Sequence, residues 1–290
     1  MSELLFFNVD EGYTEAVVRG LKKSFLEEED YNALKNATNL VDFKTALEAT
    51  DYEEVLQQEP NPIPVPRLQT LLKQKLADDM QYLQAQASSP LYEFIDLMRH
   101  GYMIENTVYI IEGIKSKVDF EVLLKRADPL GEFPGMRTIK AAESENYANV
   151  YQTVLIDLPV GKYFHKFLED ILVGAANKDI NAIDSIMKDY TQEKTKNLLK
   201  KIWLTEMYKF CTTELSGPSR EIMEDLLKFE SDCMTMQIIY NSLGNKDLTD
   251  AKGREAERKQ YIHRLGKLYP GRDRELTQAD NLEKLKLAVA

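Results

Sequence analysis

The amino-acid sequence predicts an all-α protein. Apolar residues recur at spacings of three and four, alternating apolar runs that would make strands are nearly absent, and Gly/Pro breaks separate stretches long enough for many helical turns. The 290 residues, 43% hydrophobic and 29% charged, lie in the ordinary globular range. Single cores stop growing near roughly 250–300 residues, so one large domain or two to three small ones are expected.

Near the start, Glu27-Glu28-Glu29-Asp30 reads as a solvated turn in which Asp30 caps the next helix. Pro60-Asn61-Pro62-Ile63-Pro64-Val65-Pro66 favours an extended polyproline strap or linker. After it, Leu68, Leu72, Leu76, Met80 and Leu83 share one face, while Lys73, Lys75, Asp78 and Asp79 fall elsewhere, which is an amphipathic helix. Another begins at Ser88-Ser89-Pro90, with Ser89 as cap and Pro90 in the first turn, and buries Leu91, Phe94, Ile95 and Met98. Val108 to Ile111 would also suit a strand, but the helical spacing on both sides favours helix. The most apolar run, Tyr102 to Ile114, contains Glu105, Asn106 and Glu112, and a spanning helix needs roughly 20 apolar residues, so no membrane crossing is predicted. Gly and Pro in Asp128 to Gly135 force a loop that divides modules.

Leu198, Leu199, Ile202, Trp203, Tyr208, Phe210 and Cys211 make a broad apolar surface, expected of a central helix. Past the break at Ser216-Gly217-Pro218-Ser219, Met223, Leu226, Leu227, Met234, Ile238 and Ile239 continue the pattern. The expected division is 1–60, a first helical module with an amino-terminal strap; 61–135, a Pro-rich linker and long helices; 136–245, a central module; and 246–290, the start of a third module.

An internal repeat supports this division. Leu34, Ala37, Asn39, Leu40, Lys44 and Ala46 coincide with Leu276, Ala279, Asn281, Leu282, Lys286 and Ala288, and Phe43/Leu285 and Leu47/Val289 keep apolar character. A weaker middle copy runs from Asn146 to Val154. Chance likeness between amphipathic helices and three related modules both account for these letters.

No chemistry announces itself. There is no G-x-x-x-x-G-K-[ST] and no G-x-G-x-x-G among the 13 glycines, so no cofactor is expected. His100, His165 and His263 are scattered and follow neither H-E-x-x-H nor a repeated Glu-x-x-His spacing, so no metal is expected. Cys211 and Cys233 lack a neighbouring catalytic base and read as small buried hydrophobes, and no export signal follows Met1-Ser2-Glu3. No catalytic residue is assigned.

The formal charge of -11 argues against a nucleic-acid or acidic-lipid binder. With 48 acids, accidental pairs are unavoidable, and Glu221, Glu224 and Asp225 read as complements to a helix dipole. Against this background, Lys252, Arg254, Arg258, Lys259, Arg264, Lys267, Arg272 and Arg274 cluster in a stretch poor in acids. Arg254, Arg258, Lys259, Arg264 and Lys267 are the candidate patch for an acidic partner; a solvated helix face is the plainer alternative.

Several segments, in order, match one family: Phe7-Asn8-Val9-Asp10-Glu11-Gly12-Tyr13, Val18-Arg19-Gly20, Thr50-Asp51-Tyr52, Tyr102-Met103-Ile104-Glu105-Asn106, Pro129-Leu130-Gly131, Tyr208-Lys209-Phe210-Cys211, Phe229-Glu230-Ser231-Asp232, Asn241-Ser242 and Leu268-Tyr269-Pro270. The chain thereby resembles the subunit d family of the vacuolar-type proton-translocating ATPase. The resemblance implies three helical modules forming a funnel on the proteolipid ring, at the cytoplasmic face of vacuolar and other endomembranes. It further implies a non-catalytic rotor part that receives the central stalk subunits D and F and meets other membrane-sector subunits. Two departures stand out. Basic residues usual in the family after Phe229-Glu230-Ser231-Asp232 are replaced by Cys233-Met234, and the sequence stops at Leu287-Ala288-Val289-Ala290 inside a helical pattern where the family continues. A free helical scaffold for soluble partners and an enzyme with an acidic pocket between helices are the competing classes.

Overall fold

The structure, a computed structural model, describes residues 12–142, 158–172, 191–245 and 250–289. Phe7 to Glu11 of the opening motif and the middle repeat copy, Asn146 to Val154, lie outside them. The described elements are α-helices and two short 3-10 stretches, with no strand among the described residues, in agreement with the all-α expectation. The chain divides into two compact units, Met1–Tyr102 with Lys125–Glu132, and Met103–Leu124 with Phe133–Ala290.

The first unit holds α1 (Gly12–Lys23), α2 (Glu28–Asn36), α3 (Leu40–Glu48), α4 (Glu53–Leu56), α5 (Val65–Gln86), the start of α6 (Leu91–Lys115) and a 3-10 turn, Pro129–Gly131. Its core is Leu47, Leu56, Ile63, Leu68 and Leu71, with Leu34 and Phe43 packed against it. The proline-rich stretch is anchored by Ile63, which is fully buried, and Pro64 is extended at φ -64 and ψ 136. Val65 and Pro66 already belong to α5, because proline's missing N–H is harmless in a first turn. Thr50-Asp51-Tyr52 ties α3 to α5. Thr50 Oγ1 donates to the Leu47 carbonyl at 2.7 Å, Asp51 pairs with Lys75 at 2.7 Å, and the Lys75 ammonium lies 5.8 Å from the Tyr52 ring centre.

The second unit contains the rest of α6, α7 (Phe120–Arg126), a 3-10 stretch (Met136–Ala142), α8 (Gly161–Leu172), α9 (Gln192–Thr213), α10 (Gly217–Ser242), α11 (Ala251–Tyr261), α12 (Asp273–Gln278) and α13 (Leu282–Val289). Helix α9 packs against α8, α10 and α11, so the expectation of a central helix here is met. Its buried line is Thr195, Leu199, Leu204, Met207 and Cys211. In α6, Met103, Ile104, Asn106, Thr107, Val108, Ile110 and Ile111 are buried and Tyr109 is half-buried, so Val108 to Ile111 is a largely enclosed stretch of helix. No helix among the described residues is long and apolar enough to cross a membrane. The carboxy-terminal core combines Ile239, Ile262, Leu276, Ala279, Leu285 and Ala288.

The two outer repeat copies share their local geometry. Ala37 ends α2 with φ -63 and ψ 128, donating its N–H to the Leu34 carbonyl; Ala279 ends α12 with φ -55 and ψ 125, donating to the Leu276 carbonyl. Two residues later an asparagine caps the next helix. The Asn39 side chain accepts from Val41 and Asp42 N–H, and Asn281 Oδ1 accepts from Lys284 N–H at 2.9 Å. The matching Leu, Ala and Asn letters thus fall at the same places of two helix–turn–helix segments, and in both the asparagine accepts the N–H of the third helical residue.

Several local expectations need correction. Asp30 is the third residue of α2, not its cap; its carboxylate accepts the Glu27 N–H at 2.8 Å, closing a capping box from inside. Pro90 precedes α6, which starts at Leu91. Leu76 is 48% exposed, because the packed side of α5 runs through Leu68 and Leu71 instead.

Candidate functional site

Helix α10 carries apolar residues on two opposite faces. On one side Leu227, Ser231, Thr235 and Ile239, spaced by four, are buried in the unit. On the other, Ile222, Leu226, Phe229 and Tyr240 are 59%, 53%, 62% and 58% exposed, and Cys233 and Met236 between them are half-buried. The spacing of these six is 4-3-4-3-4, which at 3.6 residues per turn keeps them within about 80° of arc. This is the seam pattern by which one helix receives another. Leu226 had been grouped with Leu227 in the packed pattern; it belongs to the exposed face.

The helix starts at Gly217, whose φ of +54 a side chain would resist, with Pro218 in the first turn. Midway, Asp232 binds the loop after α11: its carboxylate accepts the Lys267 N–H at 2.8 Å and the Leu268 N–H at 3.3 Å. Gly266 lies so close that a Cβ there would sit 1.8 Å from Asp232 Oδ1. Gly266→Ala is therefore expected to displace the carboxylate from its two backbone donors and cost about 2–3 kcal/mol of stability. Chemical denaturation would measure this, and a loss below about 0.5 kcal/mol, the usual spread for neutral surface changes, would contradict it.

The candidate patch is scattered over different environments. Arg264 and Lys267 are exposed; Arg264 lies 5.8 Å from the Tyr269 ring centre, and Lys267 pairs with Asp225 on α10 at 2.7 Å. Lys259 pairs with Glu255 at 2.5 Å, and Arg254 approaches Asp280 at 3.9 Å. Arg258 does not face outward, being only 1% exposed. Its Nε donates to Ser242 Oγ at 2.9 Å, and its Nη1 donates to the Thr277 and Ala279 carbonyls at 3.0 and 2.5 Å. Burial, with Arg254 nearby, pulls its pKa below the usual arginine value.

Among the described residues no group of three His, Cys, Asp or Glu side chains could hold a metal ion. Cys211 is fully buried, and burial raises its thiol pKa to about 11, so it packs as a hydrophobe and carries no thiolate at neutral pH. His263 is buried as well. Its backbone N–H donates to Thr235 Oγ1 at 3.1 Å, and burial, then Lys201 and Lys200, lower its imidazole pKa to about 4.

Residues 14–290 match the family described as ATP synthase (C/AC39) subunit. The chain belongs to this family. It is 35% identical over 284 residues to V-type proton ATPase subunit d1 of Arabidopsis thaliana, covering 98% of this chain and 74% of the relative. Against subunit d of Dictyostelium discoideum the identity is 33% over 283 residues, covering 98% and 73%. Against subunit d of Saccharomyces cerevisiae it is 31% over 292 residues, covering 99% and 78%. The resemblance to subunit d read from the sequence is therefore correct, and the chain is a V-type proton ATPase subunit type that is a non-catalytic component of the pump.

Of the segments that carry the resemblance, some pack or anchor, whereas Tyr13, Val18 and Phe229 are exposed. Pro129-Leu130-Gly131 is a buried 3-10 turn, Met103, Ile104 and Asn106 are buried in α6, and Asp232 holds a loop. The sequence reading missed Ile222, Met236 and Tyr240 of the α10 seam. Their 4-3 spacing was the available signal, masked by a second apolar face on the same helix.

Proposed function

We propose that the protein is a non-catalytic rotor subunit of a vacuolar-type proton-translocating ATPase, coupling the central stalk to the proteolipid ring at the cytoplasmic face of vacuolar and other endomembranes. Family membership and relatives named V-type proton ATPase subunit d support the assembly; the exposed seam of α10 is the observation that carries a docking role within it. Moving one proton against 100 mV takes about 2.3 kcal/mol, and an exposed salt bridge contributes only about 0–1 kcal/mol. A coupling part thus needs apolar contact area backed by stiff helices. Aromatic side chains bury about 150–250 Å² each, so Phe229 and Tyr240, with their four apolar neighbours, supply a substantial part of the more than about 2,000 Å² expected of a permanent interface. Lys267, paired with Asp225 of α10, sits beside it, where charge selects acidic partners. The shared caps of the outer repeat copies support a funnel built from three related modules, with stalk subunits D and F and the ring as partners.

Affinity purification of the tagged chain from detergent-solubilised membranes tests this. Proteolipid ring and stalk subunits are expected to co-purify stoichiometrically. A chain recovered with soluble partners alone would replace this reading with that of a free helical scaffold.

A further inference from the structure

A groove of about 670 Å³ lies in the second unit between α8 and α9, with Gln260 of α11 also on its wall. That volume is in the range of small-molecule sites, about 300–1,000 Å³. Helix α9 lines it with Leu198, Lys201, Ile202, Thr205 and Lys209, positions that at 3.6 residues per turn share about 100° of arc. Leu198 and Ile202 belong to the broad apolar surface expected from the sequence, yet they are only half-buried and stand outside the packed line of α9. With Phe167 of α8 they give the groove an apolar floor.

The charges of the groove do not cancel locally. Its two lining carboxylates each already hold a cation, Asp170 pairing with Lys166 at 2.8 Å and Glu206 with Lys162. Lys201 is left with a neutral acceptor. Its ammonium donates to the Gln260 carbonyl at 2.7 Å, a bond whose two residues both line the groove, and it forms no ion pair with a carboxylate among the described residues. Burial, then the charge of Arg264, holds its pKa below the usual lysine value, and Asp170 offsets part of this. Lys209, exposed two turns further along the same face, likewise forms no ion pair among the described residues. An ammonium drawn partly out of water beside an apolar floor, with N–H groups beyond the one given to Gln260, favours an anion that brings apolar surface with it.

We propose that this groove binds a small amphiphilic anion, whose carboxylate or phosphate head accepts a charge-assisted hydrogen bond from Lys201 Nζ while its alkyl or aryl tail covers Leu198 and Ile202. Head and tail contribute differently. The charge of Lys201 orients the ligand, and the tail adds affinity through the apolar area it removes from water. The site goes beyond the docking role and does not rest on it, because the exposed seam belongs to α10 and none of its six residues lines this groove.

Isothermal titration calorimetry of the 290-residue chain with octanoate and, separately, with octyl phosphate tests the proposal, alongside octanol, which has the tail without the charge. Two variants locate the site. Lys201→Met removes the ammonium and keeps an apolar stem. Thr205→Glu sets a carboxylate one turn from Lys201, at an exposed position where glutamate is a good helix former, so it competes for the ammonium and leaves the fold intact. Saturable binding of at least one octyl anion is expected, weakened about tenfold or more in both variants and for octanol. Octanoate alone binding assigns a carboxylate head, octyl phosphate alone a phosphate head, and both together the shared anion. A Leu226→Gln, Phe229→Gln double variant is expected to bind the anion as the parent chain does. Absence of saturation by either anion below about 1 mM, the weak end of the affinity scale, overturns the proposal. Unchanged affinity in Thr205→Glu overturns it too, whether or not Lys201→Met folds. Octanol binding as tightly as the anions removes the role of Lys201, and loss of binding in the α10 variant alone moves the ligand to the exposed seam; either result overturns the site.

Discussion

Leu226→Gln combined with Phe229→Gln is expected to leave the chain folded and to detach it from its assembly. Both side chains are more than half exposed on the α10 seam and contribute nothing to the core line of Leu227, Ser231, Thr235 and Ile239. Glutamine is a good helix former, so thermal stability should change by only about 0.5 kcal/mol. In the complex the loss is larger. Each large apolar side chain that is buried contributes about 1.5–3 kcal/mol, so the pair removes about 3–6 kcal/mol, a hundredfold or more in affinity. Leu227→Ala is the reciprocal control, because it empties a buried site and should lower stability by about 2–5 kcal/mol. Circular dichroism melts and quantitative co-purification of both variants separate the effects. Undiminished association of the double variant would remove the seam from the interface.

The parts of the fold that were legible in the sequence are those settled by neighbours along the chain. Helical spacing gave the all-α class, and the repeat match of Asn39 with Asn281 fell on two residues that the structure shows capping helices, each by a bond to a backbone N–H two or three residues away. What was not legible depended on distant residues. Arg258 reads as one more surface cation of a basic stretch, yet the carbonyls that take it into the interior belong to Thr277 and Ala279, about twenty residues on. Helix α10 misled for a different reason. Its packed line includes Ser231 and Thr235, which hydropathy discounts, while its exposed line is the more apolar of the two. A helix apolar on opposite faces yields a weak pattern from sequence alone, although that same feature is what fits it to pack inward and receive a partner outward.

His263 is expected to make the fold acid-sensitive well above the range where carboxylates titrate. Its imidazole titrates at about 4 in the folded chain because burial, then Lys201 and Lys200, oppose the charged form, whereas an unfolded histidine titrates near 6.5. The folded state thus favours neutral imidazole. Its contribution is complete above about pH 6.5, declines as pH falls and unfolded chains take up the proton, and is gone by about pH 4, a loss of about 3 kcal/mol. Asp225, held below its usual value chiefly by a hydrogen bond from Lys267, and Asp280, held down chiefly by Lys284, lose their contributions only as pH falls through lower values still. Urea denaturation at about pH 7 and pH 4.5 should therefore show a fall in stability that His263→Leu reduces by about 2–3 kcal/mol. Leucine is tolerated on energetic grounds because Nδ1 has no partner to lose, and the Thr235 bond is made by the backbone. Equal acid losses in the two proteins would place the sensitivity elsewhere.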